Sequence, residues 1–149
     1  MKRIGILTGG GDVPGLNAAI KAFVWRMLEE PCEIIGLRRG WASLVNIVPD
    51  ASADNSAWIL PLTRVLTRAI DRTGGTILHT SRMNPSNAKR DQIPPHLITQ
   101  LPTPDEGGRY DLTPHALRVI DFLKLDALVA LGGDGTLTFA PRPEKKNVP

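Results

Sequence analysis

The 149-residue sequence holds one cysteine, Cys32, which excludes an internal disulfide and a cysteine-rich zinc site and fits a reducing compartment. Cys32 itself reads as a small buried residue rather than a nucleophile. Long hydrophobic runs are missing as well. The apolar stretch behind Lys2 and Arg3 is too short for a secretory signal, and no later run could span a bilayer. Clustered charge is equally scarce: 18 Lys and Arg against 15 Asp and Glu give a net charge of +3 and a pI near 9.4. That balance suits a phosphorylated ligand, but the basic residues are scattered apart from Lys145-Lys146, which argues against a nucleic-acid surface. No internal repeat and no linker divides the chain. With 42% hydrophobic and 22% charged residues, a soluble, cytoplasmic domain with a real core is expected.

What is present is a βαβ pattern. Residues 4–7 read as a buried strand. Residues 17–28 read as a helix, with Ile20, Phe23, Val24 and Met27 at helical spacing, and residues 33–37 as a second strand. Residues 48–57 are loop-like and 62–70 give a short helix ahead of the turn Thr73-Gly74-Gly75. A brief strand is expected at 76–79. Residues 84–109, with Pro94, Pro95, Pro102 and Pro104 among their prolines, carry no clear period, so they read as a surface excursion. Thr113 is placed as an N-cap with Pro114 in the first turn of a helix whose face is Leu117, Ile120 and Leu123. The apolar run 126–131 then reads as a central parallel strand. The expected fold is α/β, a Rossmann-like parallel sheet flanked by helices.

Two glycine-rich turns follow two of those strands. The first is TGGGDVPG at 8–15 and the second is GGDGT at 132–136. Ligands of parallel sheets gather at the carboxyl ends of the strands. Glycine N–H groups there can line phosphate oxygens, and a carboxylate such as Asp134 can hold a Mg²⁺ ion that neutralises them. The bland alternatives are a plain turn for the glycines and an N-cap for Asp134. Two such turns in one small sheet are harder to explain that way than one. The familiar fingerprints fail, since Leu16 and Asn17 replace the Lys and Ser/Thr of a P-loop and Pro14 replaces the third glycine of G-x-G-x-x-G. Between the turns lies GGTILHTSR, residues 74–82, whose Arg82 could reach a transferring phosphoryl group. His79, His96 and His115 lack metal-ligand spacing and read as structural or exposed. Trp41 reads as packing rather than as a ligand platform.

GGDVPGLNAAI, GGTILHTSR and ALVALGGDGT stand in the order and approximate spacing of the 6-phosphofructokinase family, and together they resemble it over most of the chain. The resemblance implies the N-terminal, nucleotide-binding part of such an enzyme over residues 1–149. It also implies Mg-dependent transfer of the ATP γ-phosphoryl to fructose 6-phosphate in glycolysis, and tetrameric relatives. Carried over residue by residue, Gly11 resembles the glycine whose backbone approaches the ATP phosphates, Arg82 the arginine that contacts them, and Met83 its neighbour in the nucleotide site. Gly133, Asp134, Gly135 and Thr136 resemble the second phosphate-binding turn, with Asp134 as the Mg²⁺ ligand. Pyrophosphate users commonly carry a second aspartate where Gly135 stands, so the implied donor is ATP. Trp41 falls near an aromatic of the family's nucleotide site. Lys21 could serve an effector, although Trp25 replaces an expected arginine.

The family's general base sits in a T-x-D-N-D stretch that is not found before Pro149, so no catalytic residue is assigned within the chain. Pro141 and Pro143 fall where a helix should follow GGDGT, and the tail is expected to fray there. Two rival readings follow: a non-catalytic nucleotide-binding fragment of that enzyme, and an NAD or lipid kinase, families that also use GGDGT.

Overall fold

The computed structural model describes residues 1–11 and 13–144; Asp12, Lys145-Lys146 and Pro149 lie outside the described residues. Strand β1, Lys2–Thr8, is followed by helix α1, Leu16–Met27, and by β2, Cys32–Leu37. Then come the short helix α2, Ala42–Asn46, and the strand β3, Ile59–Pro61, with the single turn α3, Arg64–Thr67, behind it. After a long irregular segment the chain closes with α4, Thr113–Phe122, β4, Ala127–Leu131, α5, Asp134–Leu137, and α6, Pro141–Glu144. The four strands form one sheet in the order β3-β2-β1-β4. β1 runs parallel to β2 and to β4, with Ile6 opposite both Gly36 and Val129, whereas β3 pairs antiparallel to β2. The sheet is therefore mixed but mostly parallel, as an α/β pattern demands.

Each face of the sheet carries its own core. On one side α1 lays Ile20 and Val24, both fully buried, against Ile6, Ile34 and Leu78. On the other, α2 and α4 bury Leu44, Val45, Ala116, Val119 and Ile120 with Leu7, Leu37 and Trp41. Burying a side chain of this size contributes about 1.5–3 kcal/mol, so the two cores fix the positions at which the strands end.

The structure departs from the sequence reading at several points. Residues 76–79 are not a strand. Thr8, completely buried, shares a hydrogen bond with the Thr76 hydroxyl (3.0 Å) and donates to the His79 carbonyl (2.9 Å), and Arg39 N–H donates to the Leu78 carbonyl. This stretch is thereby pinned across the strand ends instead of joining the ladder. Residues 84–109 are less a surface excursion than a folded strap. It comprises three 3₁₀ turns, and it buries Pro85, Ala88, Ile93 and Leu97 against α2 and α4. Thr113 is the first residue of α4, not its cap. The Asp111 carboxylate accepts from the Thr113 amide and hydroxyl, which satisfies an amide that a helix start leaves orphaned. Cys32 is half-buried, its thiol set against the Met27 carbonyl.

Pro141 and Pro143 do not prevent a helix after GGDGT. They divide it into α5 and α6, and both prolines sit in the first turn of α6, where no intrahelical N–H is required. Among the described residues, no helix is long and apolar enough to cross a membrane.

Candidate functional site

The carboxyl ends of β1 and β4 are neighbours in the sheet, with Thr8 opposite Leu131, so the two glycine turns that leave those strands lie side by side. Their spacing is set by Thr136. Its side chain is 2% exposed and fills the gap between the turns. A Cβ at Gly132 would fall 2.4 Å from the Thr136 hydroxyl and 2.7 Å from the Gly9 carbonyl, and one at Gly9 would fall 2.5 Å from the same hydroxyl. Only glycine lets the two backbones close on that side chain. Thr136 therefore packs at the floor of the site. Trp41 secures it from below, since the indole N–H donates to the Thr136 carbonyl at 2.9 Å and the ring meets Phe139 edge-on. With 2% exposure, Trp41 is a packing residue and not a ligand platform.

The middle motif joins the turns from above. Asn17, at the start of α1, is 3% exposed. Its side-chain carbonyl accepts from the Ile77 amide at 2.8 Å, its side-chain amide donates to Thr73, and its backbone amide donates to Gly75. Further along, the Gly10 amide donates to the Ser81 carbonyl, and the Ser81 hydroxyl donates to the Arg39 carbonyl at 2.6 Å. Arg39 itself adopts φ 62°, an uncommon conformation for a side-chain-bearing residue. These bonds deliver Arg82 beside the first glycine turn. Thr8, Asn17 and Ser81 are thus organisers of the site that the glycine pattern did not single out. The signal available was a polar residue, Thr8, closing an apolar strand, and an asparagine opening a helix that lacks a capping side chain.

All seven residues singled out from the sequence border one cleft of about 360 Å³: Gly11, Arg82, Met83, Gly133, Asp134, Gly135 and Thr136. They differ in what they present. Met83 is 6% exposed and belongs to the core with its side chain at the cleft wall. Apart from their chain neighbours, no described atom lies within 4 Å of where a Cβ would stand at Gly11, Gly133 or Gly135, so that side of their backbone is open. Gly133 is extended and precedes α5, and the first amides of that turn have no intrahelical acceptor. Asp134 and Arg82 are exposed, and neither side chain pairs with another described residue. A cation and an anion left unpaired at one cleft, between open glycine amides, match a ligand that carries both phosphate oxygens and a bound cation.

A Mg²⁺ ion fits that donor set only in company. No group of three or more His, Cys, Asp and Glu side chains able to hold a metal occurs among the described residues. Mg²⁺ is commonly held by one or two carboxylates plus substrate phosphates, and the single carboxylate of Asp134 meets that requirement.

The three histidines lie at two separate places, His79 exposed and His115 buried. His79 lends its carbonyl to Thr8, but His96 from the strap and His115 from α4 come together with ring centroids 5.6 Å apart. Lys21 is committed locally: it pairs with Asp71 at 2.8 Å and lies over the Trp25 ring, whose other neighbour is Arg64.

The Phosphofructokinase family profile matches residues 3–149. A pyrophosphate--fructose 6-phosphate 1-phosphotransferase of Dictyoglomus thermophilum is 37% identical over 99% of this chain and 34% of its own length. An ATP-dependent 6-phosphofructokinase of Alkaliphilus metalliredigens is 32% identical over 100% of this chain and 37% of its own. The crystal structure of Pichia pastoris phosphofructokinase in the T-state superposes with a TM-score of 0.69 at 26% identity, covering 95% of this chain and 13% of that one. The chain spans about a third of the length of the curated relatives it matches.

Proposed function

We propose, from the premise that the chain belongs to the phosphofructokinase family, that it supplies the donor-phosphate half of an ATP-dependent 6-phosphofructokinase. The observation that carries this reading is the unpaired couple Arg82 and Asp134 at one cleft between two open glycine turns. In the whole protein the reaction would move the γ-phosphoryl of ATP to a hydroxyl of fructose 6-phosphate. Such transfer depends on positioning and on charge stabilisation. Here the Gly11, Gly133 and Gly135 amides would line the phosphate chain. Arg82 would meet the oxygens of the transferring group with its planar fork, and Met83 would close the wall beside it. Asp134 would hold a Mg²⁺ ion, which supplies neutralisation of the phosphate charge when bound. Thr136 would keep the two turns at the distance the phosphates need. Family membership favours this kinase over an NAD or lipid kinase sharing GGDGT. A cytoplasmic, oligomeric enzyme without nucleic-acid or membrane partners completes the reading.

Among the described residues Asp134 is the one carboxylate lining the cleft, and a carboxylate engaged with Mg²⁺ is not free to take the proton of a sugar hydroxyl. This favours, for the 149 residues by themselves, binding of the donor without turnover. The donor assignment rests on Gly135, which is exposed and open where a side chain would stand. Titration with Mg-ATP and Mg-pyrophosphate in parallel tests it, with fructose 1,6-bisphosphate assayed in each sample. Mg-ATP is expected to bind more tightly, and Gly135→Asp to reverse that order. Equal affinities in both proteins would remove the argument for ATP.

A further inference from the structure

The strap and α4 enclose a second pair of cavities that the donor site does not use. One, of about 190 Å³, and another, of about 230 Å³, share Leu97, Gln100, His115 and Arg118 as lining residues. His115 stands at both, and it is 4% exposed. Neither of its ring nitrogens, nor Nε2 of His96 beside it, has a well-aligned hydrogen-bond partner among the described residues, although the backbone carbonyls of Ile47 and Val45 lie close enough to favour a proton on the His115 ring. Buried polar groups in folded proteins are almost always bonded, and an exception calls for a partner that belongs there. Charge says which kind. Arg118 is exposed at the mouth and pairs with no carboxylate among the described residues, so a cation is repelled and an anion drawn in. Asp111, which also lines the smaller cavity, is already committed to Thr113. The remaining wall is apolar, with Leu101, Pro102 and Leu112 on one side and Val48 and Pro49 on the other.

We infer that the double cavity around the His96–His115 pair binds a compact organic anion with an apolar body. The carboxylate or phosphate end would meet the Arg118 guanidinium and an imidazole N–H, and the body would cover Leu97 and Leu101. Burial, with His96 and the positive charge of Arg118 adding to it, pushes His115 down to about 4. The ring is thus neutral near pH 7 and offers one N–H and one lone pair.

The test is titration of the intact 149-residue chain with benzoate, acetate and inorganic phosphate at pH 7, followed through the side-chain resonances of His96 and His115. Benzoate is expected to shift both sets saturably, with acetate and phosphate at least about tenfold weaker because they lack the ring that would cover the leucines. Arg118→Gln, a change at an exposed position that leaves the core intact, should weaken benzoate by about tenfold or more. Arg68→Gln, on the opposite side of the sheet, should leave it unchanged. The proposal is overturned if the histidine signals do not move, if the three anions act alike, or if Arg118→Gln and Arg68→Gln have the same effect.

Discussion

The carboxyl end of the sheet and the outer face of α1 carry similar charged residues and use them in opposite ways. On the α1 face every cation with a visible role is spent: Lys21 on Asp71 and the Trp25 ring, Arg64 on the Trp25 ring and carbonyl, Arg26 on Glu29. Trp25 is itself anchored by its indole N–H on Thr67. At the cleft, Arg82 and Asp134 both line the same cavity and pair with nothing described. Satisfied charges are architecture, whereas opposite charges left unpaired at one cleft are available to a ligand. The contrast also disfavours an effector role for Lys21, whose ammonium is already neutralised where it stands.

The largest effect should come from breaking the cleft. Arg82→Ala and Asp134→Asn are each expected to weaken Mg-ATP binding by about ten- to a hundredfold, the worth of a hydrogen bond to a charged group at about 1.5–3 kcal/mol. Both side chains are exposed, so the unfolding free energy measured in urea should stay within about 0.5 kcal/mol of the parent. A matching loss of stability would show that the couple is architectural after all.

A buried group without a partner sharpens the comparison from a third position. His115 has its folded pKa at about 4, below the ordinary value of about 6.5. A depressed histidine contributes stability that is complete above pH 6.5 and is lost as the pH falls toward 4. Between pH 7 and pH 5 the linkage amounts to about 2 kcal/mol. Urea unfolding at the two pH values should show that loss, and His115→Gln should remove most of it. A loss as large in the variant would place the titrating group elsewhere.

The smallest effect belongs to the paired face. Lys21→Met, which removes a partly exposed ion pair, should cost less than about 1 kcal/mol and leave Mg-ATP affinity untouched. A change in affinity would mean that α1 communicates with the cleft.

The parts of the molecule legible in the sequence were those whose period or chemistry is local. Ile20 and Val24 mark α1, and the apolar run before GGDGT marks β4, because one buried face repeats along each element. The gathering of the glycine turns was legible because parallel strands place their carboxyl ends together. What escaped depends on distant partners. Residues 76–79 have the composition of a strand, yet Thr8 and Arg39 take their backbone groups across the strand ends. β3 is three residues at a sheet edge, Ile59–Pro61, too short for any alternation to register. The strap lacks a period because Ala88, Ile93 and Leu97, which it presents to the core in and between its 3₁₀ turns, fall at irregular intervals. Thr136 carried a phosphate-turn motif, but its buried side chain is a spacer between Gly9 and Gly132.

Under the proposed function the two glycine turns, with Arg82 and Asp134 at the same cleft, serve one ligand. The most direct measurement follows the backbone amides of Gly11 and Gly133 by ¹⁵N NMR while ATP is titrated into the chain, with and without Mg²⁺. Both amides are expected to shift with a common saturation point, and removing Mg²⁺ to weaken that response markedly. A response at one turn alone, or at neither in a chain whose spectrum is otherwise that of a folded protein, would contradict that reading.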